Sequence, residues 1–446
     1  MRLSTCICPL LAASASCHPT ARANSSETGT ESPDLYPTWQ LSNDTGFNFN
    51  LVIALGNALT GGADITPVLG AAKNIIAGDF NSYSSEWYQL ANKTKAQAED
   101  PANAFDPANV RDTWFSASHY FRRADEYIHG DWSNPLINTF WDEQTAAFDK
   151  AIAALPIPGQ RIQLPATDAR GTNFTVEAIC TKRRCRRPTL IIGNGFDAAQ
   201  EDSYHYFVAP ALARGWNCIT YEGPGQPTVL RNQNLGFIAD WESALIPVVD
   251  YLFADEGKSA LVDTDRLVLI GNSFGGYLAA RAAAFEPRLA ATVLIGGVWD
   301  AYPAFAAQLP AEVMALYEAG TYTQFDETVR SLREAGELGT DAAFGLDHGM
   351  WAFRTPSPSE FFTRSKAFHM RDVVDQIDMP VFVGDAEFEG VFGGQPQMVK
   401  DALGDRGTLH VFNGTAGYHC QSGAIQEMTR TIHAWLHKVL PESEGA

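Results

Sequence analysis

The chain has 446 residues, long enough to bury one large α/β core and a second, helical unit. Hydrophobic residues make up 45% of it and aromatic residues 11%, a well-packed globular composition, and no apolar run reaches the ~18–20 residues needed to span a bilayer. The formal net charge of −20 excludes nucleic acid and anionic membrane as default partners and reads as a solvated acidic surface.

Residues 1–45 read as a targeting or disordered extension. Met1 to Ser26 carries no acidic residue, two arginines (Arg2 and Arg22) and a weakly apolar stretch from Leu3 to Ala15. That pattern is a weak secretory or transit-like segment, too polar and cysteine-rich for a strong one, so an intracellular location is favoured. Three of the seven cysteines fall in this extension. The others (Cys180, Cys185, Cys218, Cys420) form no disulfide-dense or zinc-like framework, and neither metal nor cofactor is expected.

Residues 46–158 read as an N-terminal helical domain. Apolar and aromatic side chains recur at three-to-four spacing through Trp114–Ala124 and again from Phe140 to Leu155, until Pro156-Ile157-Pro158-Gly159 ends the pattern. Strands then alternate with helices through residues 159–300. The strands are expected at Arg161–Leu164, Phe174–Ile179, Thr189–Ile192, Asn217–Tyr221, Leu267–Ile270 and Thr292–Ile295, with helices over Ser203–Arg214, Ile238–Phe253 and Phe274–Phe285. The basic run Lys182–Arg187 reads as a solvated turn. Residues 301–379 lack any strand pattern and read as a helical lid inserted at the carboxyl end of the sheet. Residues 380–446 return to the core, with strands at Val381–Val383 and Thr408–Phe412 and a helix over Ile425–Val439. This alternation predicts a mostly parallel eight-stranded sheet covered by helices on both faces, with an antiparallel start.

The chemistry centres on Ser273. A run of β-formers, Arg266–Ile270, enters Gly271-Asn272-Ser273-Phe274-Gly275, and helix-forming residues follow from Tyr277. Strand, sharp turn and helix place the serine at the apex, and the glycines two before and two after it are needed where strand and helix close on each other. A glycine-rich turn that merely contains serine is the bland alternative, and it does not account for that complete context. A serine hydroxyl is a weak nucleophile, so it needs a base that is itself oriented by an acid. In α/β-hydrolases the chain order is serine, acid, histidine. His419 follows a strand and the glycine-containing loop Phe412–Tyr418 and precedes the last helix, the place for the base. His433 and His437 lie one turn apart but have no third ligand after them, and they read as a solvated helix face. For the acid, Asp385, Glu387 and Glu389 all follow the strand at Val381; the far end of the turn selects Glu389, then Asp385, then Glu387. The Phe274 N–H and backbone amides near Gly195 and Phe196 are the expected oxyanion donors.

Several motifs together resemble one branch of the α/β-hydrolases. Gly271–Tyr277 with Phe285-Glu286-Pro287-Arg288, the turn from Gly193 to Glu201, Tyr221-Glu222-Gly223-Pro224-Gly225-Gln226, Leu346–Trp351 and His419-Cys420 are similar to the 2,6-dihydropseudooxynicotine hydrolase-like family. Its fungal members include heptaketide chain-shortening hydrolases and fusarin-type hydrolases of polyketide clusters. The resemblance covers about residues 70 to 440. It implies an α/β-hydrolase fold with the triad Ser273, Glu389 and His419, although the family usually carries aspartate at the acid position. It also implies an acidic group tuning the histidine, which falls on Asp197, and a possible homodimer. Substrate preference is expected in the helical domain and lid, where Tyr120, Arg123, His348 and Trp351, with Arg111 and Tyr127, read equally as substrate contacts or as core packing.

The reaction so implied is cleavage of a carbon–carbon bond beside a carbonyl in a small polyketide-like β-diketone. Two alternatives keep other outcomes open. One is an ester or thioester hydrolase, or an acyl-enzyme that cyclises; the other is a non-catalytic binding protein with the same fold.

Overall fold

The computed structural model describes residues 38–181, 186–254 and 261–440. The extension up to residue 37 and residues 182–185 of the basic run lie outside them. The described chain begins with α1 (Thr45–Gly56), α2 (Ile65–Asn74), α3 (Phe80–Glu99), α4 (Pro107–Asp125) and α5 (Leu136–Ala153). Four of these helices have an aspartate at the N-cap, and in three of them its side chain makes the capping bond. The carboxylates of Asp44, Asp79 and Asp106 accept from the amides of Phe47, Ser82 and Asn109 at 2.9, 3.0 and 3.1 Å. Each satisfies an orphan amide and sets negative charge at the positive end of the helix dipole. Phe47, Tyr83, Trp87, Tyr120, Phe121 and Phe140 form the core of this helical segment.

All eight expected strands are present: β1 (Gln160–Thr167), β2 (Asn173–Thr181), β3 (Arg187–Gly193), β4 (Asn217–Glu222), β5 (Val262–Asn272), β6 (Ala291–Ile295), β7 (Val381–Ala386) and β8 (Gly407–Phe412). They form one sheet in the order β1-β2-β4-β3-β5-β6-β7-β8. The pairs β1–β2 and β2–β4 are antiparallel, and every other pair is parallel. Successive side chains of β5 serve opposite faces. Leu267 and Leu269 join one buried cluster, while Val268 and Ile270 join the other. Burial on both faces is why this strand reads as an unbroken apolar run.

Between strands, the expected Ser203–Arg214 helix is a π turn (Tyr204–Val208) leading into α6 (Ala209–Ala213). Pro210 has no N–H to give to the preceding turn, and the wider register comes just before it. The helix expected from Ile238 starts later, as α8 (Glu242–Ala254), after the short α7 (Pro227–Gln233) that the sequence pattern did not signal. The elbow helix is α9 (Gly275–Ala283).

The segment between β6 and β7 is helical, as expected: α10 (Ala301–Ala306), α11 (Ala311–Glu318), α12 (Tyr322–Ala335), α13 (Thr340–Ala352) and α14 (Pro358–Ser365). An unforeseen α15 (Gln395–Leu403) separates β7 from β8, and α16 (Ile425–Val439) closes the described chain. No helix among the described residues is long and apolar enough to cross a membrane. The carboxyl ends of β3, β5, β7 and β8 carry the loops that build the site described next, as parallel sheets commonly do.

Candidate active site

Ser273 sits between β5 and α9 with φ of +59°, a left-handed conformation that a non-glycine residue adopts only under constraint. The constraint is visible. Its N–H donates to the Ile295 carbonyl at 2.7 Å, and its own carbonyl accepts from the Gly276 N–H at 2.7 Å. A Cβ at Gly271 would lie 2.0 Å from the Gly275 carbonyl oxygen, and one at Gly276 would lie 1.7 Å from that of Gly296. Strand, turn and helix therefore approach more closely than any side chain permits.

The loop after β8 brings His419 to the serine. Its Nε2 lies 2.9 Å from Ser273 Oγ, and its Nδ1 lies 2.8 Å from both carboxylate oxygens of Glu389. Glu389, on the turn after β7, has a side chain only 4% exposed, and its Oε1 also accepts from the amides of Val391 (2.9 Å) and Phe392 (3.1 Å). The other two carboxylates of that turn point elsewhere. Glu387 Oε2 accepts from the Gly414 N–H at 2.7 Å, bracing the loop before the histidine, and Asp385 accepts from the Ala386 N–H at 2.8 Å. The Phe388 N–H donates to the Gly417 carbonyl at 2.7 Å and ties the two loops together. The rings of Phe49, on α1, and Phe392 flank His419 with centroids at 6.2 and 6.1 Å.

The pair is electrostatically matched. Burial works against the charged form of Glu389, but the His419 imidazole and the two amides outweigh it and hold its pKa below the usual glutamate value. Burial likewise opposes protonation of His419, and Cys420 and the Glu389 carboxylate reverse that, so its pKa stands well above the ordinary histidine value. A serine, a strongly basic imidazole and a buried carboxylate in one hydrogen-bonded line can transfer a proton from Oγ and hold the resulting imidazolium.

The turn after β3 lies against the elbow. A Cβ at Gly195 would come within 2.8 Å of the Phe274 nitrogen and 3.0 Å of Ser273 Cβ. Among the described residues, the amides of Gly195, Phe196 and Phe274 have no hydrogen-bond partner. Gln226, fully buried, donates from Nε2 to the carbonyls of Asn194 (2.8 Å) and Gly195 (3.1 Å). In a trans peptide N–H and C=O point in opposite directions, so this contact turns the Gly195 and Phe196 amides away from Gln226. Gln226 closes the Tyr221–Gln226 motif. Its spacing from β4 was visible in the sequence, but its function as a donor to the facing turn was not.

Asp197, expected to tune the histidine, makes no hydrogen bond to His419. Burial and the nearby Glu126 raise its pKa to about 6, against the pull of Arg122 and Arg123. The residues expected as substrate contacts or core packing each have protein partners. The Tyr120 hydroxyl accepts from the Asp64 N–H at 2.8 Å, and the Tyr127 hydroxyl accepts from Asn50 at 2.8 Å. Arg123 donates to Asn50 Oδ1 at 2.8 Å beside Glu126 and Asp202. Arg111 donates to Asp112. Trp351 is buried and stacked on His129 at 4.1 Å, and His348 has protein partners on both ring nitrogens. None of these side chains has a hydrogen bond or ring contact with Ser273, Glu389 or His419. Of the histidine pair on α16, His437 is exposed while His433 packs edge-on against Trp216.

Nucleophile elbow, eight-stranded sheet order and helical cover define an α/β-hydrolase. The chain belongs to the alpha/beta hydrolase family, whose model matches residues 190–420. It is similar to hydrolase LUC6 of Fusarium sp., at 27% identity over 89% of this chain and 97% of the relative. It is also similar to 20-hydroxy-prefusarin hydrolase FUS2 of Gibberella moniliformis, at 28% identity over 70% of this chain and 75% of the relative. Among solved structures, the 2,6-dihydroxy-pseudo-oxynicotine hydrolase superposes with a TM-score of 0.66 at 20% identity, covering 86% of this chain and 95% of that one. That last likeness establishes the shared fold.

Proposed function

We propose that this alpha/beta hydrolase uses Ser273, His419 and Glu389 as its catalytic triad and cleaves a carbon–carbon bond beside a carbonyl of a polyketide-like β-diketone. The observation that carries the triad is the continuous line from Ser273 Oγ through both ring nitrogens of His419 to Glu389, at 2.9 and 2.8 Å. The reaction type rests on the motif resemblance to the 2,6-dihydropseudooxynicotine hydrolase-like family, and the substrate class is supported by a relative named 20-hydroxy-prefusarin hydrolase.

In this reading His419 Nε2 takes the proton as Ser273 Oγ adds to the ketone, and Glu389 stabilises the imidazolium. The alkoxide is held by the Phe274 amide together with those of Gly195 and Phe196, whose partners are otherwise missing among the described residues. The carbon–carbon bond then breaks, and the leaving carbon departs as an enolate stabilised by the second carbonyl. His419 returns the proton to it, leaving an acyl-serine. Water, deprotonated by the same imidazole, releases the acid. The sum is one diketone and one water giving one carboxylic acid and one methyl ketone.

The test is product analysis with a synthetic β-diketone, run beside Ser273→Ala. Acid plus methyl ketone, lost in Ser273→Ala, supports the proposal. Acid plus alcohol from an ester analogue only, or ring closure without hydrolysis, would replace the carbon–carbon assignment. Unchanged turnover or fluorophosphonate labelling in Ser273→Ala would sink the triad itself.

A further inference from the structure

Four consecutive carbonyls of the turn after β3 are each held by a buried side chain from a distant part of the chain. Gln226 takes those of Asn194 and Gly195. His348 Nε2, on α13, lies 3.0 Å from the Phe196 carbonyl oxygen, and Arg122 Nη2, on α4, donates to that of Asp197 at 2.7 Å. A turn that made its own hydrogen bonds would need none of these, and among the amides of the turn left without a partner in the described residues are those of Gly195 and Phe196, assigned above to the oxyanion.

The histidine contact has a defined direction. A carbonyl only accepts, so His348 Nε2 carries a hydrogen and, in the neutral ring, Nδ1 is an acceptor. His348 Nδ1 lies 3.2 Å from His129 Nδ1, which is then the donor. The remaining nitrogen, His129 Nε2, lies 3.3 Å from Arg231 Nη2 and 3.4 Å from Asp125 Oδ2; with the ring neutral it accepts from the guanidinium, whose Nη2 lies 2.8 and 2.7 Å from the two carboxylate oxygens of Asp125. His129, His348 and Asp125 are 3%, 2% and 1% exposed, so water is not a competing partner. The neutral tautomers fit throughout: burial lowers the pKa of both histidines, that of His348 well below the ordinary value. The ring of His348 also meets that of Phe196 at 4.9 Å.

We propose that His348 is a positioning residue for the oxyanion hole: from α13 it holds the Phe196–Asp197 peptide, the unit directly after the Gly195–Phe196 peptide that presents the Phe196 N–H, while His129 and Arg231 fix the ring that does so. The helical segment between β6 and β7 would then do more than cover substrate: its α13 completes the geometry in which the tetrahedral alkoxide is stabilised. This rests on the serine-hydrolase reading of the same site.

The experiment is fluorophosphonate labelling, resolved into a maximal rate and a half-saturating probe concentration, for wild type, His348→Phe, His348→Gln and Ser273→Ala. Phenylalanine keeps the aromatic packing and removes both hydrogen bonds; glutamine restores a donor near the Nε2 position. We expect His348→Phe to lose 10- to 100-fold in maximal rate at an unchanged half-saturating concentration, and His348→Gln to stay within about fivefold of wild type. A folded His348→Phe that labels at the wild-type rate overturns the proposal. So does a His348→Gln no faster than His348→Phe with an equal melting temperature. If His348→Phe does not fold, His348→Asn, whose shorter amide does not reach the Phe196 carbonyl, takes its place with the same criteria. Wild type that fails to label, or Ser273→Ala that labels normally, refutes the underlying hydrolase reading instead.

Discussion

Replacing Glu389 with glutamine gives the sharpest test of how the site is wired, because the surroundings dictate which way the new amide points. Glu389 Oε1 already accepts from the amides of Val391 and Phe392 at 2.9 and 3.1 Å. Those donors will keep the glutamine oxygen at the Oε1 position, and its NH2 takes the Oε2 position; both lie 2.8 Å from His419 Nδ1. The amide oxygen is neutral and already shared by two backbone amides, so the NH2 favours a lone pair on Nδ1, which puts the ring hydrogen on Nε2, 2.9 Å from Ser273 Oγ. The imidazole is then in the wrong tautomer to take the serine proton. Inverting the tautomer in this way in a serine–histidine–acid triad costs about 10⁴ in kcat, or about 5.4 kcal/mol at ~1.36 kcal/mol per decade. Asp385→Asn should stay within about threefold of wild type, since Asp385 contacts only its neighbouring amide. The pH profile gives an independent readout. His419 in the free enzyme has a raised pKa, so the acid limb of kcat/KM should lie above the ordinary histidine value, and residual activity in Glu389→Gln should show that limb moved to lower pH. Stopped-flow labelling or steady-state hydrolysis from pH 5 to 9 measures both. A Glu389→Gln enzyme retaining more than about a tenth of wild-type rate, or an Asp385→Asn enzyme losing more than Glu389→Gln, would falsify the assignment of the acid.

Gly195→Ala should lower the acylation rate by about 10²–10³-fold with little change in substrate affinity, because its Cβ would occupy space 2.8 Å from the Phe274 nitrogen. Rates equal to wild type in a folded variant would show that the Phe274 amide is not a donor to the reacting oxygen. Asp125→Asn should destabilise the protein by about 3–5 kcal/mol in chemical denaturation, since it leaves the buried Arg231 unpaired between the rings of Trp141 and Trp351 at 4.1 and 4.7 Å. Burial alone would raise the Asp125 pKa; the Arg231 guanidinium holds it well below the usual carboxylate range. The wild-type advantage should therefore be complete above the unfolded-state pKa near ~4, shrink progressively as pH falls below it, and be gone once pH has fallen through the depressed native value. A destabilisation under about 1 kcal/mol at pH 7 would contradict it.

What could be read in advance, and what could not, follows from how far each feature reaches along the chain. The eight strands and the elbow are local: a run such as Leu267–Ile270 buried on both faces, or a glycine two residues from Ser273, states its environment within a few positions. Glu389 and His419 were also legible, because each follows its strand at a short and regular distance. The residues on α4 were not. Tyr120 and Arg123, with Tyr127 two residues past the end of that helix, recur at helical spacing, and the same spacing serves a substrate pocket or a buried ionic core. The choice between them is made by Asn50, Asp64 and Asp202, partners 55 to 80 positions away. His348 shows the same limit more sharply. Its place beside Trp351 in the segment between β6 and β7 reads equally as substrate contact or core packing, and the groups that use its two nitrogens are the Phe196 carbonyl and His129, 152 and 219 residues earlier. Once both nitrogens are committed to the protein, the residue has no donor left for a ligand. Under the proposal that it positions the oxyanion turn, its effect passes through the backbone it holds, so the maximal labelling rate, and not affinity, is the quantity that should respond to its replacement.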